Sequence, residues 1–193
     1  MRFSLKIEWT DNDVDIEKLA GPPTFFQCPG PEQTDYFLKS AWDHQNQGIA
    51  VTYVLLLKRD LIGYVTVTMD EIPLAKLERP EGIPFSRLPA MKIAQLGVHS
   101  DLNGNGFGQY LVTYAMSVAL ELKQKVGCRY VTLDAKADLV EWYEEQGFVR
   151  NEKDQEERVA AIENTPGLKP AKREARLAEL PISMRFDLHC FGN

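Results

Sequence analysis

From Leu61 to Met69 the chain alternates, Val65, Val67 and Met69 standing against Thr66 and Thr68, which is the two-residue period of a strand with one buried face. The run before it, Ile49 to Leu57, is aliphatic and β-branched, and only Lys58-Arg59-Asp60 lies between, so the pair predicts a β-hairpin. Phe3 to Trp9 predicts an earlier strand, closed by the polar break Thr10 to Asp13. A helical period takes over at Phe37, Leu38, Ala41 and Trp42, with Thr34 as the expected N-cap and Gly48 as the stop after Gln47.

Further on, Lys92 to Val98 predicts a strand. Phe107, Tyr110, Leu111, Tyr114, Ala115, Val118 and Leu122 then mark one face of a long helix, opposite a polar stripe of Gln109, Thr113, Ser117 and Glu121. Gly127 suits its C-terminus and Tyr130 to Leu133 the next strand, which completes a βαβ unit with a right-handed crossover. Asp138 to Gln146 predicts a short helix ended by Gly147, and Phe148-Val149 an extended piece. Residues 152 to 180 are rich in charge and predict two helices split at Pro166-Gly167, before a last strand from Leu180 to Leu188. Between the hairpin and the next strand, Ile72 to Pro89 carries four prolines and predicts an extended substrate-side flap without regular structure.

These elements make an α/β (α+β) chain, and 193 residues are enough for one cored domain with one active site. The longest apolar run stops at Lys58-Arg59, far short of the roughly 20 residues a membrane helix needs, and the N-terminal residues lack the apolar block of a signal peptide. Cys28, Cys128 and Cys190 form no CxxC pair, so reduced thiols in a cytoplasmic setting are expected. The net charge of −6 disfavours a surface built mainly for nucleic acid, although a local basic patch is compatible with it.

The candidate chemistry lies in the turn Asn103-Gly104-Asn105-Gly106-Phe107-Gly108, between a strand and the long helix. Glycines there let backbone amides close on a diphosphate at a helix N-terminus. The dinucleotide fingerprint would need a small residue where Gln109 stands, and no Lys-Ser or Lys-Thr pair closes a P-loop.

The turn resembles motif A of the GNAT N-acetyltransferase superfamily, with Asn103 in place of the usual Gln or Arg. Val131-Thr132-Leu133-Asp134-Ala135 with Trp142-Tyr143-Glu144-Glu145-Gln146-Gly147-Phe148 resembles its motif B, so the likeness spans about residues 50 to 150. The resemblance implies a GNAT fold: a mixed twisted sheet of six to seven strands flanked by helices, with splayed central parallel strands, in a single domain of residues 1–193 that carries its charged insertion at 152–180. It implies acetyl-CoA as cosubstrate and no metal, the pantetheine arm bonded to main chain near Leu96 and Val98, and the pyrophosphate on Asn103, Gly104, Asn105, Gly106, Phe107 and Gly108. A primary amine attacks the thioester, and Tyr143 is the expected proton donor to the departing thiolate, since a phenol with a pKa of about 10 is protonated at neutral pH. No base stands out: Gln95 occupies the position where many relatives carry a carboxylate, His99 is expected near the cofactor phosphates, Glu141, Glu144 and Glu145 read as a solvated face, and His44 and His189 have no evident partner. Trp9, Trp42 and Trp142 read as core anchors.

Within the superfamily, Phe26-Gln27-Cys28, Tyr36-Phe37-Leu38-Lys39, Thr52-Tyr53-Val54, Leu88-Pro89-Ala90 and Leu133-Asp134-Ala135-Lys136 resemble landmarks of the bacterial GNAT toxins, which acetylate aminoacyl-tRNA. Net charge, the acidic 152–163 stretch and the charged insertion before the last strand weigh against that acceptor, so a small amine or peptide N-terminus is the broader expectation and tRNA the alternative. A non-catalytic acyl-CoA-binding module is a third reading, and a homodimer is compatible with all three.

Overall fold

The computed structural model describes residues 13–76 and 78–190. The strand expected at Phe3 to Trp9, with Trp9, lies outside the described residues. Seven strands form one mixed sheet in the order β1-β2-β3-β4-β5-β7-β6: β1 (Val14–Lys18), β2 (Val51–Leu57), β3 (Asp60–Pro73), β4 (Arg87–Val98), β5 (Tyr130–Ala135), β6 (Val149–Arg150) and β7 (Ile182–Asp187). Among the described residues six α-helices accompany them: α1 (Pro31–Lys39), α2 (Ala41–Asn46), α3 (Phe107–Lys125), α4 (Val140–Glu145), α5 (Glu152–Glu163) and α6 (Pro170–Ala178). The contacts divide the chain into two compact units, residues 1–69 with 92–121 and residues 70–91 with 122–193.

In the first unit β1 and β3 flank β2, both antiparallel to it. The hairpin turns on Lys58 and Arg59, both with positive φ (50° and 76°), the backbone of a two-residue turn whose twist suits the strands. One face of this sheet carries a cluster of Leu19, Phe26, Cys28, Phe37, Ala41, Val54 and Tyr64. Phe37 stacks on Tyr64 at 4.4 Å, while the Tyr64 hydroxyl donates to the Gln33 carbonyl at 2.7 Å, so the apolar body is buried and its polar tip is satisfied. Two helices, not one, stand where a single helix is expected, because the chain breaks at Ser40, outside helical geometry at φ −127°. Nor does Thr34 cap α1: Gly30 takes that position with Pro31 at the first turn, and the Thr34 hydroxyl accepts from the Cys28 amide at 3.1 Å. The buried residues of α3 are Phe107, Leu111, Val112, Ala115, Met116 and Ala119. Tyr110, Tyr114 and Val118, expected at the centre of that face, flank it half-buried.

In the second unit β7 pairs antiparallel with both β5 and β6. The proline-rich flap is shorter than expected, since β3 continues to Pro73 and β4 begins at Arg87. Ile72, Leu74, Leu88, Ala90 and Tyr130 pack together there, and that apolar burial extends the strands past the prolines. Pro89 fits within β4 because only its carbonyl is needed, accepting the Arg129 amide at 2.8 Å. The two charge-rich helices form as expected, α5 capped by the side chain of Asn151. Neither has a fully buried residue, and α5 is held to β7 by polar contacts, among them Gln155 Oε1 accepting the Ser183 amide at 2.9 Å.

Candidate functional site

β4 ends at Val98, which is buried, with Leu96 half-buried two residues earlier. A short 3-10 turn, Ser100–Leu102, follows, and Asn103 leaves it extended at φ −60° and ψ 143°. Gly104 and Gly106 then hold φ of +79° and +86°, a region that residues with a Cβ enter at a cost of about 1–2 kcal/mol. Between them the Asn105 side chain donates to the Leu102 carbonyl at 3.0 Å and locks the turn. The Gly106 carbonyl accepts the Tyr110 amide at 3.1 Å, so the turn runs directly into the first turn of α3.

That first turn contains no acidic residue, and α3 is 19 residues long. Its leading amides have no acceptor within the helix and its dipole is positive at this end. A Cβ built on Gly104 meets no atom within 4 Å, so the space over the turn is open. The turn thus fits a diphosphate through main-chain groups, and the shorter side chain of Asn103 leaves those groups unchanged. An open cavity of about 560 Å³ adjoins it, lined by Gln27, Pro29, His99, Ser100, Asp101 and Asn103. The contribution of Gln27 and Pro29 had no sequence signal: the loop before α1 is stitched to the turn by the Ser100 amide, which donates to the Gln27 carbonyl at 3.0 Å.

His99 lines that cavity, its Nδ1 accepting the Asp101 amide at 3.4 Å and its ring edge-on to Phe26. His44 does have a partner, the Tyr36 hydroxyl at 3.3 Å from its Nδ1. Gln95 is half-buried in β4.

In the second unit, Tyr143 lies on α4, only 7% exposed. Trp142 meets its ring edge-on at 4.7 Å and Phe148 at 5.8 Å. Burial pushes its phenol up to about 12, because the ionised form would lose hydration. Gly147 terminates α4 at φ +88°, and a Cβ there would stand 2.8 Å from the Phe186 ring. The glycine of the Gly147-Phe148 pair is therefore required by both backbone and space. Glu141, Glu144 and Glu145 are exposed, Glu144 pairing with Arg150 at 3.1 Å, and the His189 amide donates to Asp187.

A turn with two positive-φ glycines leads into α3 after β4, and a buried tyrosine lies on α4 after β5. The model of the acetyltransferase (GNAT) family matches residues 14–148, and the chain belongs to that family. It is an acyltransferase by class. No curated protein matches the chain. Among solved structures it is similar to one described as a bacterial toxin, with TM-score 0.70 and 19% identity over 92% of each chain. It is also similar to AtaT complexed with acetyl-methionyl-tRNAfMet, at TM-score 0.64 and 21% identity over 72% of this chain and 88% of that one. A mutant AtaT toxin bound to the C-terminus of the antitoxin AtaR and acetyl-CoA gives TM-score 0.63 and 17% identity over 92% and 95%. At such identities the likeness carries the fold. Among the described residues, no helix is long and apolar enough to cross a membrane.

Proposed function

We propose that this protein transfers the acetyl group of acetyl-CoA to a primary amine by direct attack on the thioester. The observation that carries the reading is the turn at 103–108, whose two positive-φ glycines open onto the head of α3 within a chain of the acetyltransferase family. Acetyl-CoA supplies the activated acyl carbon. Main-chain groups at Leu96 and Val98 hold the pantetheine arm, and residues 103–108 hold the pyrophosphate through their amides.

Tyr143 is the proton donor at sulfur. As the C–N bond forms and the C–S bond breaks, one proton leaves the amine nitrogen and one arrives on sulfur. With its phenol at about 12, Tyr143 is fully protonated throughout the neutral range. An alkyl thiol sits near 8.5, so complete transfer from the tyrosine is uphill unless nitrogen gives up its own proton in concert. Tyr143 therefore gives its proton to the departing sulfur in concert with loss of the amine proton, which returns to the phenolate oxygen. The acceptor enters neutral, so the proton lost from nitrogen balances the one gained by sulfur and none is left over.

That requirement favours an α-amino acceptor, with a pKa of about 8, over an alkyl amine near 10.4, of which less than about 0.1% is neutral at pH 7. A second reading narrows this to the α-amino group of an aminoacyl-tRNA. It is supported by the likeness, over 72% of this chain, to AtaT complexed with acetyl-methionyl-tRNAfMet. The test is calorimetric titration of acetyl-CoA into the full chain and into Gly106→Glu, followed by thiol release with a peptide N-terminus, alkyl amines and aminoacyl-tRNA, beside Tyr143→Phe. Binding by the parent alone, with turnover lost in Tyr143→Phe, is expected. A parent that binds no acetyl-CoA sinks the reading, and one that binds it without turning over any amine is an acyl-CoA-binding module.

A further inference from the structure

The helix α6 lies beyond the family-matched residues 14–148 and has no buried residue. Its surroundings are acidic: the chain carries a net charge of −6, and α5 presents Glu152, Asp154, Glu156, Glu157 and Glu163. Yet Lys169, Lys172, Arg173 and Arg176 fall within eight residues at spacings of three, four and seven. At about 100° per residue Lys172, Arg173 and Arg176 occupy an arc of roughly 100° of the helix, with Lys169 as its N-cap and Glu179 closing the stripe at the C-cap. Lys169, Lys172 and Arg176 are exposed, while Arg173 is half-buried. None of the four makes an ion pair with another described residue, although Lys153, Arg158, Arg87 and Arg185 of the same unit all do.

We propose that this face of α6 docks the phosphate backbone of RNA. Four like charges kept together on one stripe repel one another, so their arrangement adds nothing to the stability of an isolated helix. An acidic protein that attracts a polyanion must do so through a local patch. From the N-cap Lys169 to Arg176 the cations extend about 10 Å along the helix, enough to reach more than one phosphate of a polynucleotide strand. Guanidinium and ammonium groups at that pitch neutralise consecutive phosphates without reading bases, so the contact is indifferent to sequence. The choice of RNA over other polyanions rests on the aminoacyl-tRNA reading given above.

The experiment measures binding of deacylated bulk tRNA to the full chain by fluorescence anisotropy at 50 and 200 mM salt. The parent is compared with the combined variant Lys169→Glu, Lys172→Glu and Arg176→Glu, and with the corresponding triple glutamine variant as a milder control of folding. Loss of three phosphate contacts removes about 40-fold of the salt-dependent weakening between those concentrations. Both variants are expected to bind tRNA at least tenfold more weakly at 50 mM salt and with a shallower salt dependence, while acetylating a peptide N-terminus at the parental rate. Unchanged tRNA binding in the variants overturns the proposal, as does polyglutamate displacing tRNA from the parent as well as tRNA itself does. Acetylation of aminoacyl-tRNA is read separately. A parent that acetylates it and variants that do so equally well remove the α6 surface but keep the acceptor, whereas tRNA binding through α6 without acetylation removes the acceptor but keeps the surface.

Discussion

Tyr143 keeps its ring between Trp142 and Phe148 whether or not it bears a hydroxyl, so Tyr143→Phe tests the oxygen alone. A positioned proton donor contributes about 10²–10⁴-fold, and a fall in kcat of at least about 100-fold with an unchanged Kd for acetyl-CoA is the expected result from stopped-flow and calorimetry. The raised phenol also has a pH signature. Below about pH 10 the group is neutral in folded and unfolded chains alike, and between 10 and 12 only the unfolded chain releases the proton, so stability falls as pH rises through that window. Urea midpoints of the parent are expected to drop more steeply over that range than those of Tyr143→Phe. The rate of acetylation should rise with deprotonation of the amine and show no loss from Tyr143 up to about pH 10. At the opposite end of the molecule's chemistry, Arg59 holds φ +76° at an exposed hairpin corner, and Arg59→Gly is expected to stabilise by about 1 kcal/mol in urea unfolding, activity unchanged.

Among the elements, α3 and the turn before it carry the cofactor end of the proposed site. Gly106→Ala adds one methyl at φ +86° and distorts the cradle, while Gly106→Glu also brings a negative charge to the head of the helix. Calorimetry is expected to show acetyl-CoA binding weakened about tenfold or more in the first and abolished in the second. This element was legible because its signals are local: glycines grouped at a strand-to-helix junction, then an apolar face of period 3.6. Gly147 was legible as a helix stop for the same reason, but the Phe186 ring that also demands a glycine there lies on β7, too far along the chain to leave a trace. The break at Ser40 escaped notice because α1 and α2 keep their apolar residues in phase across it. The role of Thr34 was misread since its hydroxyl had a tertiary alternative in the Cys28 amide.

In the second unit, ion pairs tie the flap and α5 to the strands. Arg185 of β7 pairs with Glu78 of the flap at 3.0 Å, the two side chains only 12% and 17% exposed, and Arg87 bridges β4 to Glu157 of α5 at 2.9 Å. Removing one member of a largely buried pair leaves the other charged and desolvated, so Arg185→Leu is expected to lower unfolding free energy by about 3 kcal/mol, with Glu78→Gln in the same background recovering part of it. Denaturant unfolding of the four chains of that cycle measures the coupling. Exposed pairs such as Lys39 with Asp35 should contribute within about 0.5 kcal/mol when broken.

The amino-acid sequence by itself determined the element types from Ile49 onward, the glycine turn with its helix and the position of Tyr143, because period, turn chemistry and motif spacing are properties of neighbouring residues. The tertiary structure alone decided where β1 starts, at Val14, how far β3 and β4 reach past their prolines, and that Gln27 and Pro29 join the cavity beside Asn103. It decided, too, that the Tyr143 phenol is buried and that the cations of α6 make no ion pair with another described residue while those of α5 do. Desolvation and pairing are set by groups brought near from distant parts of the chain, and a sequence read along its length does not contain those distances.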